Sequence, residues 1–448
     1  LDSDAIFDFI EKTLGLKEEE LRSLSALTEQ MTGGNPLQIR ELLQTFHRED
    51  VLVSLGDKWV WHQEAMPKTN PDSTENLYRE RLQTVRPALR EILTVAAAIG
   101  GVFSVFNIAI AAAKPEREVL SLFQEGVDNS LIVSMQVGSM PESSSINYRF
   151  VHDTLRQAFY NLIPETRRSH FHLSIARRFE IAFDERKDEK VFGLTFHYNK
   201  AIGLMQSIED LHKLLVLNYS ASKAAFQATA WEQAFEYANR GISILEKIDW
   251  NVDYETALAL MNTGIEAAYL SAHYETMDTW IGYVEAGSRT TVDMAYAWRV
   301  KVQSLVARRF FQIALETGLA YCKQLGEPVR THPFFTRLFW NRFRSRFLFK
   351  KTYAADPSEE RRLPSPRVQA IIDILTVASS TAYVTNQQVF AAVTAAIYRS
   401  TIAKRIAYSN GFACICFAIM LVRLKRYRQA FQLAQKGIHL AEHSPSLA

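Results

Sequence analysis

The sequence predicts a mostly α-helical protein that ends in a superhelix of paired helices. Three observations carry this. Glycine and proline are sparse, 18 and 13 in 448 residues, so tight turns are few. Apolar residues recur at helical spacing along most of the chain, and strict alternation is confined to two short stretches. An aromatic-x-Gln-Ala-Phe signature occurs at Trp231 and again at Tyr427.

The first helix runs from Leu1 to Leu14, with Ile6, Phe9, Ile10 and Leu14 on one face. It begins on Leu, as if inside a helix, which fits a piece of a longer protein, and no secretory signal opens it. "LKEEELRSLSALTEQM" continues as a second helix that stops at Gly33-Gly34, and Pro36 suits the first turn of the next, "LQIRELLQTFHRED". In "VLVSLGDKWVWH", Val51, Val53 and Leu55 alternate before Gly56-Asp57, and Trp59 and Trp61 alternate after it. This is a β-hairpin. "MPKTNPDST" is a linker.

Helix is expected from about Glu75 to Ala113. Within it, "VAAAIGGVFSVFNIAIAAA" has the length of a membrane span but is broken by Gly100-Gly101 and carries Ser104 and Asn107, so it reads as two buried helices around a turn. A helix over Glu116 to Asn129 precedes a second hairpin, "LIVSMQV" and "INYRFVH" around a polar loop. Helices bracketing a hairpin in this way form the plan of a winged helix.

From Thr154 onward the chain reads almost wholly as helix. "WEQAFEYANRGISIL" and "YRQAFQLAQKGIHLA" both place a glycine ten residues after the aromatic, at Gly241 and Gly437. Weaker copies surround Tyr274 and Phe311. Small residues let paired helices approach, aromatics fill the space beside them, and such units stack into a superhelix.

Composition excludes several chemistries. A net charge of +2 creates no global field that calls for nucleic acid or a membrane. Three cysteines, Cys322, Cys414 and Cys416, do not build a disulfide framework and point to a reducing, cytoplasmic setting. Cys414-x-Cys416 lacks the further ligands of a zinc site and reads as two small apolar residues. No glycine is followed by lysine, so the phosphate loop G-x-x-x-x-G-K-[ST] is missing, as are H-E-x-x-H and G-x-S-x-G. No metal site and no catalytic set emerges; His170, His172 and His197 read as surface or packing residues. "TRLFWNRFRSRFLFKK" mixes arginine with aromatics, as surfaces for single-stranded nucleic acid or anionic membranes do. Phe335, Phe339, Phe343 and Phe347 nevertheless form one helical stripe, with the arginines mostly off it, which fits packing.

Taken in order, Thr32-Gly33-Gly34-Asn35-Pro36, Trp59-Val60-Trp61, Phe150-Val151-His152-Asp153 and "QAFYNLIPETRRSHFHL" resemble the signalling ATPases of the STAND class. They look like the ATPase-plus-repeat module of large multidomain kinases, including hybrid sensor histidine kinases with a Ser/Thr-kinase-like domain. The resemblance covers essentially the whole chain. It implies lid helices with a β-hairpin over residues 1–70, a winged helix over 71–165, and a tetratricopeptide-like superhelix over 166–448.

It also implies a ligand and a role. Gly34 and Pro36 match a lid turn beside the nucleotide, and His152 and Asp153 match a pair that closes on the diphosphate. His152 would donate to a phosphate oxygen; alternatively, it is a helix-terminal residue with Asp153 as cap. ATP or ADP with Mg would need a phosphate loop upstream, so these residues hold half a pocket. The implied function is a regulatory switch. Nucleotide state and a protein or peptide on the repeats would be relayed to a kinase output, histidine or Ser/Thr, with nucleotide-dependent self-association. No catalysis is expected within these residues, nor nucleic-acid binding, nor a membrane span. The alternatives are an interaction scaffold with a degenerate ATPase remnant and part of a STAND-type transcription regulator.

Overall fold

A computed structural model of the chain describes residues 1–48, 51–55, 58–62, 82, 85–135, 146–183, 191–334, 336, 364–401 and 410–442. The fold is mostly α. The chain forms two compact units, Leu1–Leu204 and Met205–Ala448.

The first unit opens with α1 (Ser3–Leu14), α2 (Glu18–Thr32) and α3 (Pro36–Arg48), followed by the antiparallel strands β1 (Leu52–Leu55) and β2 (Lys58–Trp61). Asp2 caps α1 by accepting the Ala5 N–H, and Gly15 closes it in the left-handed region. Ile6, Ile10, Leu24, Ile39 and Phe46 pack with Val51, Leu52 and Trp61 into one core, and Leu52 pairs with Trp61 across the hairpin. The expected Gly56-Asp57 turn and the 66–74 linker lie outside the described residues.

A second core in this unit is built from α4 (Pro87–Ile99), β3 (Val102–Ser104), α5 (Val105–Ala112), α6 (Glu116–Asp128), β4 (Ile132–Met135) and β5 (Asn147–Phe150). It continues through α7 (Asp153–Asn161), α8 (Glu165–Phe183) and α9 (Val191–Lys200). The sheet order is β3-β5-β4, antiparallel throughout.

Strand β3 corrects the reading of 95–113 as two helices around a plain turn. Gly100 has φ 150° and ψ −166°, which turns the chain out of α4. Ser104 then caps α5 by accepting the Asn107 N–H at 3.1 Å, so the second helix cannot start earlier. The residues between are extended, and Phe103 packs on Phe123 and Phe150.

The second unit is a stack of helical hairpins: α10 (Ile208–Gln227) with α11 (Trp231–Leu245), α12 (Tyr254–Leu270) with α13 (Tyr274–Gly287), and α14 (Ala295–Ala307) with α15 (Phe311–Gln324). Then follow α16 (Pro366–Thr385), α17 (Gln387–Ser400), α18 (Asn410–Arg423) and α19 (Tyr427–Glu442), with α18 paired to α19.

Four of these hairpins share one turn. Thr229, Ala272, Arg309 and Lys425 all have φ between 58° and 65° and stand two residues before the aromatic that opens the second helix. In each, the next N–H reaches back to a carbonyl five residues earlier, as in Ala230 to Ala225 and Arg426 to Leu421, so the helix ends are satisfied by the turn itself. Glycines set the helix spacing. A Cβ on Gly264 of α12 would lie 2.9 Å from the Ala238 Cβ of α11 and 3.1 Å from Trp280.

Cys414 and Cys416 lie buried in α18, and burial pushes their thiols up to about 11 and about 12. Helix α16 is long and apolar enough to cross a membrane, yet half of its most apolar window is buried inside the unit. The basic aromatic stretch 337–351 lies outside the described residues.

Candidate functional site

The first sequence-predicted pair sits on the turn between α2 and α3. Gly33 takes φ 56° and its N–H returns to the Glu29 carbonyl, closing α2. Gly34 follows at φ 79°, buried, with its N–H 3.4 Å from Thr32 Oγ1. The Leu1 nitrogen donates to the Gly34 carbonyl at 2.6 Å, and a Cβ on Gly34 would collide with the Leu1 carbonyl oxygen. Both its φ and this backbone contact therefore require glycine. Pro36 is the first residue of α3 and is exposed, so its ring presents a free apolar face.

The second pair stands where β5 passes into α7. His152 is the N-cap of that helix in extended conformation, and its side chain makes no cap hydrogen bond. Asp153 is the first helical residue. Its carboxylate accepts from Arg156 Nε at 2.6 Å, and this pairing holds the carboxyl below the usual range. Asp153 therefore neutralises Arg156 instead of capping the helix. His152 is half-buried at the N-terminal end of α7, the end of a helix that favours an anion. The turn belongs to the first core and the α7 start to the second.

Sequence reasoning missed a buried imidazole pair. His172 of α8 and His197 of α9 are each 1% exposed, and their Nδ1 atoms meet at 2.8 Å. Tyr160 closes the far side of His172, its hydroxyl 3.0 Å from Nε2. Burial, together with Lys200 and Arg168, pushes His172 down to about 4. Burial and His172 push His197 down to about 3, so both rings are neutral. The signal was helical spacing, since His172, Ile175 and Phe179 share the buried face of α8. Among the described residues, no cluster of three His, Cys, Asp or Glu side chains is placed to hold a metal ion.

In the second unit a polar seam joins neighbouring hairpins. Arg299 of α14 reaches Glu266 of α12 at 3.3 Å, donates to Gln303 at 3.1 Å and lies 4.6 Å over the Tyr296 ring. Asp373 of α16 lies in the field of the same guanidinium and accepts from Gln369 at 2.7 Å; burial pushes its carboxyl up against both. Glu266 also accepts from the Tyr296 hydroxyl. One arginine thus links three stacked elements.

These features define a helical-repeat chain joined to a unit of helices and small sheets. It is similar, at 20% identity over 376 residues, to hybrid signal transduction histidine kinase G of Dictyostelium discoideum. The match takes in 71% of this chain and 11% of the kinase, so the chain spans about a tenth of that relative's length. It is also similar to the crystal structure of a Signal Transduction ATPase with Numerous Domains (STAND) protein with a tetratricopeptide repeat sensor from Pyrococcus horikoshii. There the identity is 13% and the TM-score 0.32, over 98% of this chain and 60% of that one. No protein-family profile matches the chain.

Proposed function

We propose that the chain is a regulatory and sensory segment of a larger signal-transduction protein, coupling nucleotide state and partner binding to a kinase output. The observation that carries this reading is the likeness to a signal transduction histidine kinase along 71% of the chain, which runs through both the α/β unit and the stacked hairpins. In this reading the β3-β5-β4 sheet and its helices are a winged helix, with the β4–β5 hairpin as wing. The hairpins of the second unit bind a protein or peptide partner.

Pro36 and His152 are the two residues that would meet the nucleotide directly. Pro36 offers an exposed ring, and His152 offers an imidazole with no cap bond at the start of α7. Gly34 supports the turn rather than a ligand, because the Leu1 carbonyl fills the space beside its Cα. Asp153 is engaged with Arg156 and serves to orient the helix start. ATP or ADP with Mg, bound to an upstream phosphate loop, would supply the phosphate charge. His152 would hold a hydrogen toward that charge and Pro36 would cover the base, keeping the unit in its resting arrangement. Loss of these contacts would release it, a two-state element biased by ligand and partner.

The test is His152→Ala in the full-length protein, with bound nucleotide and basal kinase output both measured. Faster loss of ADP and a changed basal output are expected. Unchanged retention and output would overturn the role. The scaffold reading draws on Gly33 and Gly34 being fully used by the turn, and it expects partner binding that is indifferent to ATP or ADP.

A further inference from the structure

The two strong copies of the repeat match residue for residue at one constant spacing. Trp231 corresponds to Tyr427, Phe235 to Phe431, Gly241 to Gly437 and Ile242 to Ile438. The correspondence extends to the turn, Thr229 with Lys425, at φ 59° and 58°. It reaches the partner helix as well: a Cβ on Gly241 meets the Asn218 Cβ at 3.2 Å, and one on Gly437 meets the equivalent Cys414 Cβ at 3.1 Å. The hairpins α10–α11 and α18–α19 are thus built alike.

Their outer faces are not covered alike. Phe235 stacks on His273 with ring centroids 4.0 Å apart and lies 5.4 Å from Trp280, both supplied by the next hairpin, α12–α13. Ile242 is 3% exposed, and its Cδ1 lies against Gly264 of α12. On α19 the corresponding Phe431 is 64% exposed and Ile438 is 53% exposed, with Tyr427 at 63% on the same face. Side chains that an inner repeat buries are bare on this one. A solenoid repeat contacts only its neighbours, and the neighbour that covers α11 is the hairpin following it in sequence. An apolar stripe of this kind marks a contact surface.

We infer that the exposed face of α19 is the seat of a further helical hairpin of the same repeat type, following in sequence and continuing the array. Its first helix places a small residue opposite Ile438, as Gly264 stands opposite Ile242. Its turn brings a flat side chain over Phe431, as His273 lies over Phe235. The related kinase is long enough to hold it, since this chain spans 11% of that protein. The inference stands apart from the nucleotide reading.

The experiment is maleimide labelling of Ile438→Cys under native conditions, in the 448-residue chain and in the full-length native polypeptide. Cys322, Cys414 and Cys416 are buried and stay slow. Rapid labelling is expected in the 448-residue chain, and labelling slower by at least roughly tenfold in the full-length protein, where the site opens only by local unfolding. Equal rates would overturn the inference. So would protection in the 448-residue chain that grows with concentration, since it would make a second copy the occupant. As a second readout, Phe431→Asp with Ile438→Asp should leave the thermal transition of the 448-residue chain in place and lower that of the full-length protein by several degrees. No difference between the two contexts would also overturn it.

Discussion

His172 and His197 meet Nδ1 to Nδ1 at 2.8 Å inside the first unit, so one hydrogen must serve both nitrogens. A second proton there would turn one ring into a buried imidazolium and set two N–H groups against each other, with Arg168 and Lys200 nearby.

Acid should therefore destabilise this unit early. Folded, the rings titrate at about 4 and about 3; unfolded, histidine titrates near 6.5. Below about pH 6.5 the unfolded chain binds more protons than the folded one, so stability falls with pH. The slope is roughly 1.4 kcal/mol per unit for each imidazole until the folded values are reached. Urea titrations at pH 5 and pH 7.5 check this, and His172→Phe with His197→Phe should flatten the acid limb.

The shared hairpin turn makes a prediction of opposite sign. Thr229 is β-branched and sits at φ 59°, where a side chain crowds its own backbone. Thr229→Gly should raise stability by about 1 kcal/mol, because the relief of strain exceeds the added freedom of the unfolded chain. Lys425→Gly should gain less, lacking the branch. Thermal melts of both variants test the ranking.

Gly264→Ala separates propensity from packing. In a free helix the change gains up to about 1 kcal/mol. Here the new methyl meets the Ala238 Cβ at 2.9 Å and Trp280 at 3.1 Å, and a backbone-fixed methyl cannot give way. A net loss of about 1–3 kcal/mol is expected from chemical denaturation.

Arg299 should act as a joint between hairpins. Arg299→Met leaves Glu266 and Asp373 without their shared cation and should cost about 1.5–3 kcal/mol. Arg299→Lys should recover only part, since an ammonium cannot reach Glu266 and Gln303 while stacking on Tyr296. A double-mutant cycle with Glu266→Gln measures the coupling.

Much of this architecture was legible where local chemistry and tertiary contact agree. Alternation around Gly56-Asp57 marked the β1–β2 pair, Gly33 marked the end of α2, and the Ala-Phe-Gly pattern marked the repeats. Strand β3 was hidden because its three residues lie between two good helices and, among the described residues, pair with the distant Asn147–Arg149. The hairpin turns were hidden because none of the four uses glycine for its left-handed residue. The histidine pair needed two helices to be brought together. Gly34 was legible as a break, but the backbone that fills its open side comes from Leu1.

The repeated turn bears on how the second unit melts. Each hairpin closes its own helix ends and rests on its neighbours, so fraying can begin at α19 without dissolving α12. Cooperativity then belongs to runs of hairpins, not to the whole unit. A calorimetric enthalpy larger than the van't Hoff value would record it, and a partner lying across several hairpins would sharpen the transition by tying their fates together.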